Sequence, residues 1–278
     1  MIAFARTVLG FTVAGTVSLA SAAVLVTELK GTAAIADLGA AALLTEIPEG
    51  ARVVLSPGAR MTVVDLTSGK EYAMTLPGKY QMRADGVYAP DGTPVNAAPL
   101  PLADLPKVSI DLRKVAQATL VMRGLQPVNT PLPVSPVRTA VLSATPTLQW
   151  NAVKNATRYL VTVSTPGGAE RWKTESTATV LPWGSSEALE PGQRYQWSVQ
   201  AFDDQGRVSG ATAEFSVIDT EAATRLVRLR AEAGDPLARR VLYAAQLQEA
   251  GAVEEAKRQW RALAAENPQD KVIAQLAK

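Results

Sequence analysis

The chain has 278 residues, of which 47% are hydrophobic and 19% charged, and its formal net charge is +2. This length predicts about two domains or three small ones, and the composition is that of an ordinary globular protein. The near-neutral charge gives no electrostatic case for nucleic acid or other acidic polymers, so we expect no nucleic-acid partner.

Two residue types are missing, and each absence excludes classes of chemistry. The chain contains no cysteine and no histidine. Disulfides, thiolate metal sites and thiol nucleophiles are therefore excluded, as are Ser-His-Asp catalysis and histidine zinc sites. Carboxylate-pair or Ser-Lys chemistry stays open, but no such pair stands out in the sequence. We expect a protein that is not an enzyme, with no catalytic residues, no cofactor and no metal site.

Residues 1–22 have the layout of a secretory signal peptide. The positive charge of Arg6 precedes an apolar run of small residues, and Ala20-Ser21-Ala22 fits the small-residue pattern of a cleavage site. We predict cleavage after Ala22 and export, with the bacterial periplasm as the expected compartment. An uncleaved anchor in the inner membrane is the alternative, because the uncharged run between Thr7 and Thr27 is long enough to span a bilayer.

Residues 24–95 are predicted to form a small β domain. Turn dipeptides such as Pro-Gly, Ser-Gly and Asp-Gly separate short apolar runs at 31–35, 52–55, 60–66 and 71–74. Gly50-Ala51-Arg52 repeats as Gly58-Ala59-Arg60, a spacing that suits a turn followed by a short strand. A helix over the alanine-rich residues 33–44 is the minor alternative.

The segments KGTAAI (30–35), EGARVVL (49–55) and GKEYAM (69–74) make this domain similar to the FecR-type periplasmic domain. In that family the domain lies outside the inner membrane and takes part in signal relay or protein contacts. The signalling members also have a cytoplasmic segment, which we do not find here. The resemblance therefore implies the domain type, and not signalling to a sigma factor.

Residues 96–140 are predicted to be a stiff linker that contains one helix. Prolines favour extended polyproline geometry and stand at positions 99, 101, 106, 127, 131, 133 and 136. Between them, Ser109 suits a helix N-cap and Gly124 a C-terminal stop, which predicts an amphipathic helix over 109–123. We expect this helix to pack on a neighbouring domain, and partner binding is the alternative.

Residues 141–218 show the alternation of strands that are buried on one face. Apolar side chains occupy every second position in three runs: Leu148, Trp150 and Ala152; Tyr159, Val161 and Val163; and Tyr195, Trp197, Val199 and Ala201. Turn residues at 166–168 and at Pro191-Gly192 separate these runs. The pattern predicts an antiparallel β-sandwich.

The motifs PxLxW (146–150), YxVxV (159–163) and LxPGxxYxWxVxA (189–201) resemble strands B, C and F of a fibronectin type III domain, with its E–F corner. The resemblance implies that Tyr195 forms a tyrosine corner, in which the hydroxyl bonds to the backbone upstream. It implies a fold and no activity, because this sandwich carries many unrelated functions.

Two features of the sandwich region invite a functional interpretation. Trp172 and Trp183 lie outside the assigned core strands, and exposed tryptophans can stack on sugars or anchor partners. We favour a structural role, with Trp172 on an edge strand and Trp183 covering the open end of the sheet. The acidic run Asp203-Asp204 resembles a metal-binding loop, but a plain turn of the last hairpin explains it.

Residues 219–278 are predicted to be helical, because alanine, leucine, arginine and glutamate dominate after Ile218. We predict helices over 220–233, 237–250, 253–266 and 270–278. Five arginines are interleaved with acidic residues, which predicts a solvated face and not a phosphate- or membrane-binding patch: Arg225, Arg228, Arg230, Arg239 and Arg240.

The spacing of Ala244, Gly251, Ala256, Trp260 and Pro268 makes this segment similar to one tetratricopeptide repeat. The repeat is degenerate, since Arg240 stands where a tryptophan is expected. One repeat is too short to be stable alone, so the resemblance implies that these helices lean on the sandwich or on another chain. A protein-contact surface and a plain helical cap are equally compatible with it.

These segments predict a mainly β, multidomain, exported protein that works by contact. We expect it to hold proteins together or relay signals at the cell envelope, with its domains held at set distances by the stiff linker. The expected partners are envelope proteins, with no stable membrane span once the signal is cleaved. The alternative is a cell-wall or carbohydrate-binding protein that uses its exposed tryptophans.

Overall fold

The structure, a computed structural model, describes residues 22–100, 129–206, 208–231 and 234–278. They form an N-terminal β unit, a β-sandwich and a C-terminal helical segment. The predicted signal peptide (apart from Ala22) and the predicted helix over 109–123 lie outside the described residues. Within the described ranges, no helix combines the length and the apolar character that crossing a membrane requires.

The N-terminal unit consists of two five-stranded antiparallel sheets, with strand orders β10-β7-β6-β1-β4 and β3-β2-β5-β8-β9. Apolar side chains between the sheets form one core, to which Ile47, Met61 and Tyr80 contribute. The ten strands are β1 Ala22–Lys30, β2 Ala33–Ile35, β3 Gly39–Ala40, β4 Glu46–Pro48, β5 Arg52–Leu55, β6 Arg60–Asp65, β7 Lys70–Met74, β8 Gly78–Arg83, β9 Gly86–Tyr88 and β10 Ala97–Pro99.

The β prediction for this region is confirmed, and the alternative helix over 33–44 is wrong, because β2 and β3 occupy that segment. The repeated Gly-Ala-Arg motif lies where expected, at the turns that lead into β5 and β6. Gly50 and Gly58 have φ of 81° and 76° there, a left-handed conformation that glycine adopts without steric cost.

The sequence did not reveal β1, although this strand pairs with β4 on one side and β6 on the other. Its apolar run is continuous because both faces are buried. Val24 and Val26 point into the core between the two sheets, whereas Leu25 belongs to a different apolar cluster that contains the helices. Alternation disappears from a strand that is covered on both faces, so the sequence of β1 cannot be told from the apolar segment that precedes it.

The second unit is a β-sandwich of a five-stranded sheet, β12-β18-β17-β14-β15, and a three-stranded sheet, β11-β13-β16. Its core contains the alternating residues that the sequence singled out, with Trp150 and Trp197 at the centre. Ala152 is the exception, because β13 ends at Trp150 and Ala152 is exposed. The strands are β11 Pro133–Ser135, β12 Thr139–Val141, β13 Thr147–Trp150, β14 Arg158–Ser164, β15 Glu170–Ser176, β16 Val180–Pro182, β17 Arg194–Phe202 and β18 Val208–Val217.

The tyrosine corner is present. The backbone N–H of Glu190 donates a hydrogen bond of 2.9 Å to the hydroxyl of Tyr195, which is buried in the sandwich core. Tyr159 accepts a similar bond of 3.0 Å from the N–H of Val153.

The predicted linker over 96–140 is too long at both ends. β10 pairs with β7 and therefore belongs to the N-terminal unit, whereas β11 and β12 belong to the sandwich. Proline is compatible with these short strands because they lie at sheet edges, where one side of the backbone needs no partner. Proline content alone therefore misplaced both boundaries.

Within the described ranges, four helices follow the sandwich: α1 Thr220–Leu229, α2 Leu237–Glu249, α3 Val253–Glu266 and α4 Lys271–Leu276. The Asp219 carboxylate caps α1 by accepting from the N–H of Ala222, and Asp270 caps α4 by accepting from Val272 and Ile273. The first helix ends four residues earlier than the predicted 220–233, and its last two predicted positions lie outside the described residues.

The helices do not form a separate domain, because their core is shared with both β units. One apolar cluster contains residues of α1 to α4, Leu25, Val64 and Leu100 of the N-terminal unit, and Ala140 and Ile218 of the sandwich. Helix α2 packs on the outer faces of β1 and β6. The modules therefore share buried apolar surface that would be exposed if they separated, whereas most of the predicted stiff spacer, residues 101–128, lies outside the described residues.

Polar contacts fix the turn between α2 and α3 to the start of the sandwich. The Glu254 carboxylate accepts bonds from the Ser135 hydroxyl at 2.5 Å and from the Val137 N–H at 2.9 Å. The N–H of Ala140 donates to the carbonyl of Gly251 at 2.8 Å. We call this set the Glu254 clamp.

We expect Glu254→Ala to destabilise the chain by about 2–3 kcal/mol, because two bonds to a carboxylate are lost and two donors lose their partner. Urea denaturation of the two proteins measures the difference. Glu221→Ala is the matched control, since the Glu221 side chain is 83% exposed and makes a surface ion pair with Arg225. Equal midpoints for Glu254→Ala and Glu221→Ala would contradict a role for the clamp.

The carboxyl of Glu71 is the one described acidic group with a buried, unpartnered oxygen, Oε2. Glu71 pairs with Val64 across β7 and β6, so it lies on the sheet face that meets the helices. Burial raises the pKa of Glu71 above its usual 4.5, and the nearby carboxylate of Glu28 raises the pKa further. Ionised Glu71 therefore opposes folding at neutral pH.

We expect Glu71→Gln to stabilise the chain at pH 7. The folded state binds the Glu71 proton more tightly than the unfolded state does. The glutamate therefore contributes most to the free energy of unfolding below pH 4.5, and this contribution is lost as pH rises through the pKa of Glu71 in the folded state. The gain in stability of Glu71→Gln over the wild type should accordingly become smaller as the pH is lowered. Denaturation midpoints at pH 7 and pH 4 test this, and an advantage that is absent at pH 7 or larger at pH 4 would refute it.

Candidate partner-binding groove

An open groove lies between α1 and α3, across the face of α2. Its volume is about 400 Å³, and we call it the helical groove. Leu142, just after β12, is part of the lining and brings the sandwich beside the helices. The lining residues are Leu142, Ala223, Leu226, Val227, Arg230, Ala231, Tyr243, Glu255 and Gln259.

Helix α1 supplies most of the apolar lining, and two adjacent residues of it play opposite roles. Leu226 is buried in the shared core, one turn before Leu229. Val227, rotated by about 100° around the helix, is 74% exposed, the most exposed large apolar side chain in the described ranges. Leu142, which also lines the groove, is 40% exposed. These exposed apolar groups add nothing to the core and are available for contact.

The floor and rim of the groove carry positive charge. Tyr243 is buried on the floor, where burial raises its pKa, while the guanidinium groups of Arg230 and Arg258 oppose that rise. Both cations therefore lie near the tyrosine. Glu255 is already bound by Arg258 and by the amide of Gln259. Arg230 makes no side-chain ion pair with any residue that the structure describes.

The small and aromatic positions that suggested a tetratricopeptide repeat lie where α2 and α3 cross. Ala244, Ala256 and Trp260 are all buried there, and the Trp260 indole donates to the Gln248 side chain at 2.9 Å. Gly251 has φ of 78° in the turn between the helices. Pro268 follows the end of α3, as expected. These residues build the hairpin and do not line the groove.

Three of the five arginines singled out in this segment are held by neighbouring acids, which is compatible with the predicted solvated face. Arg225 pairs with Glu221 one turn away, Arg239 lies 3.7 Å from Asp235, and Arg240 binds both carboxylate oxygens of Glu266. Arg230 is the arginine in the groove lining, and it forms no ion pair within the part of the chain that the structure describes.

Trp172 and Trp183 lie together at the edge of the sandwich. Their ring centroids are 4.7 Å apart and the rings are inclined by 50°. Trp172 stands on β15, the edge strand of the larger sheet, and Trp183 follows β16 at the edge of the smaller sheet. Both are half-buried, and the Trp183 indole donates to the carbonyl of Glu187 at 3.0 Å. The pair closes the gap between the sheets, and glycan binding by these rings stays a prediction.

The Asp203-Asp204 loop is a turn. Asp203 accepts from the N–H of Gln205 at 3.0 Å through its side chain and from the N–H of Gly206 at 3.1 Å through its carbonyl. Within the described ranges, no group of three metal-ligating side chains comes together.

The sequence did not predict the helical groove. The one available signal was Val227, an apolar residue outside the Leu226/Leu229 spacing of the buried face. That signal is weak, because single exposed apolar residues are common on protein surfaces. The contribution of Leu142 depends on the docking of the sandwich against the helices, which no local pattern encodes.

Comparison with known proteins identifies part of the chain. Residues 137–218 match the family model described as the Rha78A-like, N-terminal immunoglobulin domain. The sixth fibronectin type III domain of human fibronectin type III domain containing protein 3 is 14% identical, with a TM-score of 0.25 over 37% of this chain and 94% of that chain. No curated protein matches the chain. The family match, together with the two packed sheets, supports an immunoglobulin-like β-sandwich over residues 137–218.

Proposed function

We propose that the chain is a non-catalytic protein of the bacterial cell envelope that binds a protein partner in the helical groove. The observation that carries this proposal is the exposure of Val227 and Leu142 beside Arg230, whose side chain forms no ion pair with any described residue. Apolar anchors surrounded by a polar rim are the usual composition of a protein contact site.

The chemistry of the groove indicates the kind of segment that fits. An apolar side chain of the partner would cover Val227 and Leu142, and a carboxylate would meet the guanidinium of Arg230. Because Glu255 is bound by Arg258 and Gln259, it does not offset the positive charge that the partner meets. The occupant is therefore an acidic and apolar segment of a protein, bound through complementary charge and apolar contact.

The module types support the same role. We infer a FecR-like N-terminal unit and a tetratricopeptide-like hairpin of α2 and α3, and both types of module are known for protein contacts. Export follows from the signal-like residues 1–22. Cleavage after Ala22 would leave Val24 to Lys30 in place as part of β1, which lies between β6 and β4 in its sheet.

Photo-crosslinking in the cells that produce the protein tests the groove. A benzoylphenylalanine placed at position 227 should yield one defined protein adduct. The same residue at position 208 should not, although Val208 is also well exposed, at 53%. Arg230→Glu should abolish the adduct at position 227 because it replaces attraction by repulsion, and mass spectrometry of the adduct should identify an acidic, apolar peptide.

Three outcomes would reject the groove: no adduct at 227, equal adducts at 227 and 208, or an adduct that survives Arg230→Glu. The substituted positions 208, 227 and 230 are exposed, so we expect the variants to fold, and circular dichroism checks this. The N-terminus of the recovered protein tests export separately. Ala23 as the first residue supports cleaved export, whereas a retained Met1 contradicts it.

A further inference from the structure

A second cavity, of about 540 Å³, opens on the outer face of the larger sandwich sheet, opposite the hydrophobic core. It lies beside the turn between α2 and α3, so the helical segment forms one wall through Gly251. Its size is that of a small-molecule site. The polar side chains in its lining are Arg138, Arg194, Gln196, Glu214 and Ser216.

Strand register explains why these side chains share one face. Tyr195 and Phe215 point into the sandwich core, so their neighbours along β17 and β18 point outward. Gln196 lies opposite Glu214, and Arg194 lies opposite Ser216. The sheet thus presents two rows of polar groups on adjacent strands, which are about 4.8 Å apart.

Arg138 adds a second cation at the edge of these rows. Its N–H donates to the carbonyl of Glu214 at 2.7 Å, which places it beside β18. Its φ is 51°, a left-handed conformation that is rare for a residue with a side chain. The neighbouring contacts of the Glu254 clamp hold it there, since Val137 is bonded to that carboxylate. Backbone strain of this kind is concentrated at functional positions.

The side chains of Arg138, Arg194 and Glu214 form no ion pairs within the described part of the chain. All three are exposed to solvent within the cavity. Two fork-shaped donors therefore face the same space as one carboxylate, one amide and one hydroxyl, a set that can bind an anion and its hydroxyl neighbours together.

We propose that this cavity binds a small hydroxylated acid, with Arg138 and Arg194 on its carboxylate or phosphate and with Glu214, Gln196 and Ser216 on its hydroxyl groups. This site is independent of the helical groove. Because Thr139 and Gly251 also line it, the bound acid bridges the sandwich and the helical segment.

Isothermal titration of the full chain tests the proposal with four probes: gluconate, glucose 6-phosphate, glucose and inorganic phosphate, all at matched ionic strength. At least one of the two hydroxylated acids should bind saturably, glucose should not bind, and phosphate should bind more weakly than glucose 6-phosphate. The comparison of gluconate with glucose 6-phosphate distinguishes a carboxylate from a phosphate ligand.

Two variants locate the site. Arg138→Gln and Arg194→Gln should each weaken binding by about tenfold or more, because each removes a charged hydrogen bond. Arg52→Gln is the matched control, since Arg52 is exposed on β5 in the other β unit and the change in net charge is the same. The proposal is overturned if neither acid binds, if glucose binds as well as the acids, or if both cavity variants bind like the control. Arg194→Gln keeps the test valid if Arg138→Gln does not fold.

Discussion

The packing of α2 on the outer faces of β1 and β6 is the contact on which the rest of the structure depends. Leu25 and Val64 are buried on the far side of the N-terminal sheet, outside its own core. Without the helices, these side chains would be exposed to water at a cost of roughly 1.5–3 kcal/mol each. The sheet and the helices therefore stabilise each other, because each would expose apolar side chains to water without the other.

The helices connect the two β units as well. The helices also pack on Ala140 and Ile218, and the Glu254 clamp ties the α2–α3 turn to residues 135–140. The two β units are thereby held through one shared core, and no flexible spacing between them is needed. Both candidate sites follow from this arrangement, since Leu142 joins the helical groove and Gly251 forms a wall of the sandwich cavity.

The parts of the fold that could be predicted are those with a local signal. Tyr159, Val161 and Val163 alternate because one face of their strand is buried, and the tyrosine corner of Tyr195 was implied by the resemblance of its motif to a fibronectin type III domain. The helix ends at Gly251 and Asn267 were likewise encoded by residues at the ends themselves. Strand β1 could not be found in this way because burial on both faces removes the alternation. Residues 133–141 look like a linker by composition, yet they form strands because their partners lie far along the chain. The same limit applies to the candidate sites: the rows of Arg194, Gln196 and Glu214 depend on strand register, and the helical groove depends on the docking of three segments.

Amide hydrogen exchange of α2 tests the shared core most directly. Leu25→Ala leaves a cavity on the helix-facing side of β1 and should cost about 2–5 kcal/mol. If the sheet and the helices form one core, the amides of α2 should exchange faster in this variant, together with those of β1. If exchange accelerates in β1 while α2 keeps its wild-type protection, the helices are independent of the N-terminal sheet and the account is wrong.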